Sequence, residues 1–287
     1  MTALPVEHEA MCAHLSNIGV HRHQAGTVFK TGHLEGTDVA VACIGQGNNT
    51  AASLAERAIA EFQPFAMFFV GVAGGLRPWL ELGDVVFGTR IYAYHGGKQQ
   101  DQDFLARPRA WEASHLLEQE ARLLARSAKA SELQVHFDPI AAGEVVLNSQ
   151  DSTLGEQLRH NYNDAVAIEM ESAGIATAGQ LNHDVHVATI RGISDHADGN
   201  KERVDATGSQ SAAADNAATF AAELIAALPD DKPESRQETG EPRQQAVQNT
   251  NIASGNAQVG QQIGTISGVQ SIQFGNAPDQ PPRGERA

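Results

Sequence analysis

The chain has 287 residues, 41% of them hydrophobic, and sets 20 Lys and Arg against 35 Asp and Glu for a formal net charge of −15. That balance excludes a nucleic-acid surface, which needs clustered cations to neutralise phosphates, and favours a small-molecule partner. Its length suits one α/β domain of about 230 residues plus an appendage. Cys12 and Cys43 are the only cysteines. They offer neither a disulfide framework nor metal-ligand spacing and fit a reducing, cytoplasmic setting. The longest apolar stretch, residues 65–76, is interrupted by glycines and is too short to span a bilayer, and no leader of secretory type is expected.

In chain order, the first acids are Glu7 and Glu9, in Ala3-Leu4-Pro5-Val6-Glu7-His8-Glu9. Residues 38–44 and 65–72 are apolar runs that end at glycines. The helical periodicity of residues 49–62 between them, with Asn49 as cap, predicts a β-α-β unit. The loop Gly45-Gln46-Gly47-Asn48-Asn49 follows a strand and opens this helix, so its backbone N–H groups can meet an oxygen-rich ligand. Taken alone it is a weak dinucleotide signal, and the missing third glycine and distal acid speak against a dehydrogenase. The second loop, Gly71-Val72-Ala73-Gly74-Gly75-Leu76, lets the backbone approach a ligand closely.

Further strands are predicted at 85–87, 135–142, 166–168 and 185–193, and helices at 108–130, 169–180 and 206–228. Strands alternating with helices imply an α/β fold whose largely parallel sheet is covered on both faces. Asp195 stands just past the last strand, where open α/β sheets place ligand contacts. A second reading is open there, since an Asp also caps turns such as Ala197-Asp198-Gly199. Glu169 and Glu171 likewise suit a first helical turn on dipole grounds alone. His21 with His23, and His183 with His186, lack an accompanying ligand set, so neither a metal nor a cofactor is expected.

After Leu228 the composition changes. Residues 229–243 are rich in Pro, Glu, Asp, Gln and Arg and read as a flexible linker. Residues 244–278 contain no charged side chain, and Asn, Gln, Gly, Ser and Thr alternate there with single Ile, Val or Phe residues. The apolar positions change phase near Gly264 and Gly268, a strand-bend-strand pattern, although Gly, Ser and Gln also build ordinary linkers. Ile272-Gln273-Phe274-Gly275 and Gln262-Ile263-Gly264 resemble the core of RHIM-like amyloid signalling motifs. In such motifs uncharged amide side chains ladder between stacked strands. The expected division is a catalytic domain at 1–228, a linker at 229–243, and a disordered or amyloid-forming tail at 244–287 with its motif at about 251–277.

Three segments carry a resemblance over residues 1–228: Ile168-Glu169-Met170-Glu171-Ser172-Ala173, Arg191-Gly192-Ile193-Ser194-Asp195, and Gly71 through Leu76. Together they resemble the nucleoside phosphorylase and nucleosidase superfamily, in particular the methylthioadenosine/S-adenosylhomocysteine nucleosidases and related domains of immune effectors. The resemblance implies a three-layer α/β/α sandwich around a mixed, largely parallel sheet. It makes Asp195 the acid that protonates purine N7, with Ser194 orienting its carboxyl. It gives Glu171 the ribose 2′ and 3′ hydroxyls and sets Met170 beneath the sugar. It places Glu7, with Glu9 as alternate, at the attacking water, although a full first strand normally precedes this motif and only Met1 and Thr2 do so here.

Ala142-Gly143-Glu144-Val145-Val146-Leu147 corresponds to the base-stacking segment, with Val146 in place of the aromatic residue usual in nucleosidases and Leu147 beside it. Gly45, Gly47, Ala73 and Gly74 are further expected ligand contacts. Phosphorylases of the superfamily hold phosphate with an Arg two residues before the second glycine loop and a Ser after its first Gly. Phe69 and Val72 stand there instead, which implies water as nucleophile. The implied function is hydrolysis of an adenine nucleoside or nucleotide to free adenine, in a homo-oligomer recruited through its tail to a partner carrying a matching motif, with no nucleic acid or membrane involved. The alternatives are a phosphate-dependent phosphorylase and a nucleoside-binding scaffold without catalysis.

Overall fold

The computed structural model describes residues 1–101, 104–127, 133–198 and 208–228. The expected linker at 229–243 and the tail at 244–287, including the motif at 251–277, lie outside the described residues. Helix α1 (Pro5–Ala13) is followed by strands β1 (Ser16–Arg22), β2 (Val28–Leu34) and β3 (Thr37–Val41), which form a small antiparallel sheet. Then come α2 (Asn48–Phe62), β4 (Ala66–Gly75), β5 (Val85–Ala93), the hairpin β6 (Gly97–Gln99) and β7 (Phe104–Ala106), β8 (Arg109–Glu112) and α3 (His115–Ala125). The order closes with β9 (Val135–Ala142), α4 (Thr153–Asn161), β10 (Ala167–Glu169), α5 (Ser172–Leu181), β11 (His186–Asp195) and α6 (Ser209–Ala227).

The central sheet runs β11-β4-β10-β9-β5-β8. The β11–β4, β10–β9 and β5–β9 ladders are parallel, whereas β10–β4 and β5–β8 are antiparallel. This is an α/β sheet, as the alternating pattern predicts, and a mixed one, as the resemblance implies. It curls further than an open sheet, because β11 also pairs antiparallel with β5 from Thr189 opposite Gly88 to Gly192 opposite Val85. The register break between Gly88 and Ile91 in β5 lies at that turn, and an irregularity of this kind bends a strand.

Strand β4 shows why the sheet sits between helices. Met67 and Phe69 pack with Ala51, Ala55 and Ile59 of α2 and Ile175 of α5. Phe68 and Val70 point the other way, to Met11 of α1, Leu117 of α3 and Phe220 of α6. Alternate side chains of one strand thus enter two separate cores, and a near-continuous apolar run is what a strand covered on both faces requires.

Several boundaries differ from expectation. The helix expected from residue 108 begins at His115, because Arg109–Glu112 pairs with Arg90–Ala93 as an edge strand and buries Trp111. The helix expected from 169 begins at Ser172, since Ala167–Glu169 is still strand. Helix α2 starts one residue early, with Gly47 at φ 102 as its N-cap instead of Asn49. Strands β1 and β2 were not among the expected elements; in β1 the two apolar residues on one face, Ile18 and Val20, are 53% and 52% exposed. Where the resemblance places a full first strand, Thr2 makes a single parallel bridge to Cys43, and Val70 N donates to Met1 O at 3.0 Å.

Candidate active site

A cavity of about 450 Å³ opens at the C-terminal ends of β4 and β11, where β10 crosses β4. Glu7, Val72, Ala73, Gly74, Val145, Val146, Leu147, Glu169, Met170, Glu171, Ser194 and Asp195 all line it, together with Gln46 and Gln210. Ligand sites of α/β sheets lie at this end of the strands, and the volume falls within the range for small-molecule pockets. Residues far apart in sequence meet here because β4 and β11 run parallel, and a register break after Ile193 brings Asp195 opposite Gly74.

The acidic side of the cavity is organised by Arg191, a fully buried cation on β11. Its Nη2 donates to Glu169 Oε2 and lies 3.7 Å from Glu171 Oε2, and its Nη1 lies 3.9 Å from Glu7 Oε1. Glu169 points inward as a structural partner and also accepts from Glu171 N and Ser172 N at the start of α5. Glu7 is 2% exposed and accepts from Ala3 N (2.7 Å), Leu4 N (2.8 Å) and Val72 N (2.8 Å). That carboxylate therefore fastens the start of the chain to the glycine-rich end of β4. Glycine at position 71 makes the arrangement possible, since a Cβ there would stand 2.3 Å from both Arg191 Nη1 and Glu7 Oε1.

Glu171 is the N-cap residue of α5, and its Oε1 accepts from Gly47 N (3.0 Å) at the start of α2. Burial and the neighbouring Glu169 carboxylate push the Glu171 carboxyl up to about 7, against the opposing pull of Arg191 and the Gly47 N–H. Asp195 is 2% exposed. Ser194 Oγ donates to Asp195 Oδ2 at 3.0 Å, and Ala197 N donates to Oδ1 at 2.9 Å. One Asp195 oxygen thus caps the following turn, and the residue also lines the cavity.

Some expected contacts stand elsewhere. Glu9 is exposed and does not line the cavity, so of the two N-terminal acids only Glu7 reaches it. Gly45 does not line it either, and Gly47 takes part through its N–H on Glu171. Gln46 between them faces the cavity instead. Val146 is 52% exposed at the rim, while Leu147 is buried. Among the described residues, no group of His, Cys, Asp or Glu is placed to hold a metal ion.

Sequence reasoning missed Arg191 and Asn48 as organisers. Asn48 Nδ2 donates to Gly143 O (2.8 Å) and Glu144 Oε1 (2.9 Å), and its Oδ1 accepts from Gly174 N (2.9 Å). One amide thus ties the start of α2 to α5 and to the segment after β9. The signal for Arg191 was an arginine inside the otherwise uncharged run 187–194 of a buried strand, which demands a compensating partner.

The sequence profile of the phosphorylase superfamily matches residues 1–228. The 5′-methylthioadenosine/S-adenosylhomocysteine nucleosidase of Chromohalobacter salexigens is 29% identical over 202 residues, 67% of this chain and 81% of its own. The enzyme of the same name from Maridesulfovibrio salexigens is 30% identical over 179 residues, 60% of this chain and 74% of its own. Among solved structures, that nucleosidase from Neisseria meningitidis, in complex with methylthio-immucillin-A, matches with a TM-score of 0.69 at 26% identity, covering 79% of this chain and 97% of that one. Futalosine hydrolase of Helicobacter pylori shares the fold, with a TM-score of 0.68 at 21% identity over 79% and 96% of the two chains.

The raised Glu171 carboxyl gives the ligand-free protein a pH signature. Its folded pKa lies above the unfolded value, so its ionisation destabilises the fold, and that penalty grows as pH rises from the unfolded value through about 7. Glu171→Gln is therefore expected to melt higher than the wild type above pH 7, with the difference shrinking as pH falls toward 5. Thermal melts across that range check this, and a difference independent of pH would contradict it.

Proposed function

This chain belongs to the phosphorylase superfamily, and on that premise we propose that it hydrolyses the N-glycosidic bond of an adenine nucleoside or nucleotide, releasing free adenine. The observation that carries the reading is the meeting of Glu7, Glu171 and Asp195 on one cavity of nucleoside size. Glycoside cleavage needs an outlet for electrons on the base, stabilisation of a cationic sugar and a nucleophile on its opposite face. The three carboxyls supply one group for each need.

In this mechanism Asp195 gives a proton to purine N7, so that adenine departs neutral with the electron pair of the broken C1′–N9 bond. Ser194 Oγ donates to one Asp195 oxygen and Ala197 N to the other, which fixes the orientation of the carboxyl. Glu171 accepts from the 2′ and 3′ hydroxyls, and its charge favours the positive character that builds on the ring. Met170 packs beneath the sugar. Water attacks C1′ and gives its proton to Glu7, with the Arg191 guanidinium beside it. Phe69 and Val72 at the positions of the phosphate donors favour water over phosphate as the nucleophile. The adenine assignment is supported by the names of the relatives and by the base-binding segment ending at Leu147.

We also propose that residues 1–228 are the catalytic domain, joined through 229–243 to a tail at 244–287 that recruits a partner by amyloid-type strand stacking. Its support is the uncharged composition and the Ile272-Gln273-Phe274-Gly275 motif.

Two experiments test these readings. Chromatography of reactions with methylthioadenosine, adenosine, AMP and ATP is expected to show adenine release from at least one, at a rate unaffected by phosphate. Asp195→Asn should lower kcat by about 10²–10⁴. No adenine from any substrate would remove the enzymatic reading, and strict phosphate dependence would replace hydrolysis by phosphorolysis. A peptide of residues 244–287 is expected to assemble into dye-binding fibrils, and a peptide that stays monomeric over days would leave only a linker.

A further inference from the structure

Phe69 does more than vacate the place of a phosphate-binding arginine. It is fully buried, and the Arg191 guanidinium carbon lies 3.9 Å from the centre of its ring. On the parallel β4–β11 ladder Phe69 stands opposite Thr189 and Gly71 opposite Arg191, so these positions share one face of the sheet. Gly71 has no side chain to intervene, and the arginine therefore folds across β4 onto the ring.

Hydrogen bonds fix only part of this guanidinium. Nη2 donates to Glu169, whereas Nε and Nη1 have no hydrogen-bond partner among the described residues. Nη1 faces Glu7 at 3.9 Å, too far for a direct hydrogen bond. A cation held through one nitrogen can pivot about that contact toward the Glu169 and Glu171 side. The ring opposes the pivot, because its negative face attracts the whole guanidinium plane, and the attraction is strongest where water is excluded. Neither Leu nor Asn could do this at the same position, since neither carries an aromatic face.

We propose that Phe69 is the positioning residue for Arg191, its ring holding the guanidinium so that Nη1 stays directed at Glu7 and the attacking water. This rests on the hydrolytic reading above and deepens it. One aromatic side chain both removes a phosphate donor and steadies the cation that serves water. Glu7 is held independently by three backbone N–H groups, so loosening the ring contact moves the arginine and leaves the carboxylate in place.

The test replaces Phe69 in the full chain by phenylalanines carrying one, two and three ring fluorines, which weaken the quadrupole at nearly constant shape, and by Leu. Adenine release by these proteins is expected to show kcat falling step by step, by about tenfold in all, as for loss of a desolvated cation–π contact. KM should stay within about twofold, because the ring does not touch substrate, and Phe69→Leu should match the most fluorinated protein. A kcat that is flat across the fluorinated series, or a change confined to KM, would overturn the proposal. Melting temperatures give a second reading that does not depend on catalysis. They should fall with fluorination when Arg191 is present and stay level in an Arg191→Met background. Parallel behaviour in both backgrounds would overturn the proposal. A wild type that releases no adenine, with the melting difference intact, would fault the enzymatic reading alone.

Discussion

A guanidinium with no access to water is the constraint around which this molecule is arranged. Removing a cation from water costs several kcal/mol unless opposite charge and hydrogen bonds surround it. Arg191 meets that demand with carboxylates from separate parts of the chain: Glu7 from the first turn of α1, Glu169 from the end of β10 and Glu171 from the start of α5. The ion cluster is thus also a joint. It holds the N-terminal turn, the glycine-rich end of β4 and the β10–α5 corner around one point of β11, and the cavity lies directly against that joint. Such a cluster is weak as a source of stability, since packed apolar groups of equal volume often do as well. Its value here is the fixed placement of acids.

More negative than positive charge gathers at this site, and helix ends offset part of the excess. Gly47 N and Asn48 N at the start of α2 bond Glu171 and Glu144, and Ser172 N at the start of α5 bonds Glu169. These N–H groups have no partner inside their own helices, and the helix dipole favours anions there. Burial, and after it the neighbouring Glu169 carboxylate, still raise the Glu171 carboxyl. A site that gathers more negative than positive charge around its cavity suits a ligand that becomes positive during reaction. The stability lost to Glu171 and the electrostatics that a cationic sugar requires thus have one origin.

What the sequence revealed depended on how local the cause was. Glu171, Met170, Ser194 and Asp195 sit in short motifs at strand ends, and the family resemblance those motifs carry was what set them on one site. The two-sided core of β4 was legible in the unbroken apolar run around Phe68 and Phe69. Arg191 was visible as a residue, but its partners come from positions 7, 169 and 171, and nothing local to β11 announces them. Asn48 has the same character, bonding groups almost a hundred or more positions away. Trp111 lies in a segment that reads as helix until its edge pairing with β5 is known. Glu7 could be told from Glu9 only by geometry: both stand in α1, and the turn begun at Ala3 buries one and exposes the other.

The account's central claim is that one bound nucleoside engages both ends of this acidic cavity. A crystal structure of the protein with an adenine C-nucleoside, whose carbon–carbon link resists cleavage, tests it directly. The account predicts the base N7 side within hydrogen-bond distance of Asp195 and the 2′ and 3′ hydroxyls on Glu171. A nucleoside bound with its sugar away from Glu171, or seated in another cavity, would contradict it.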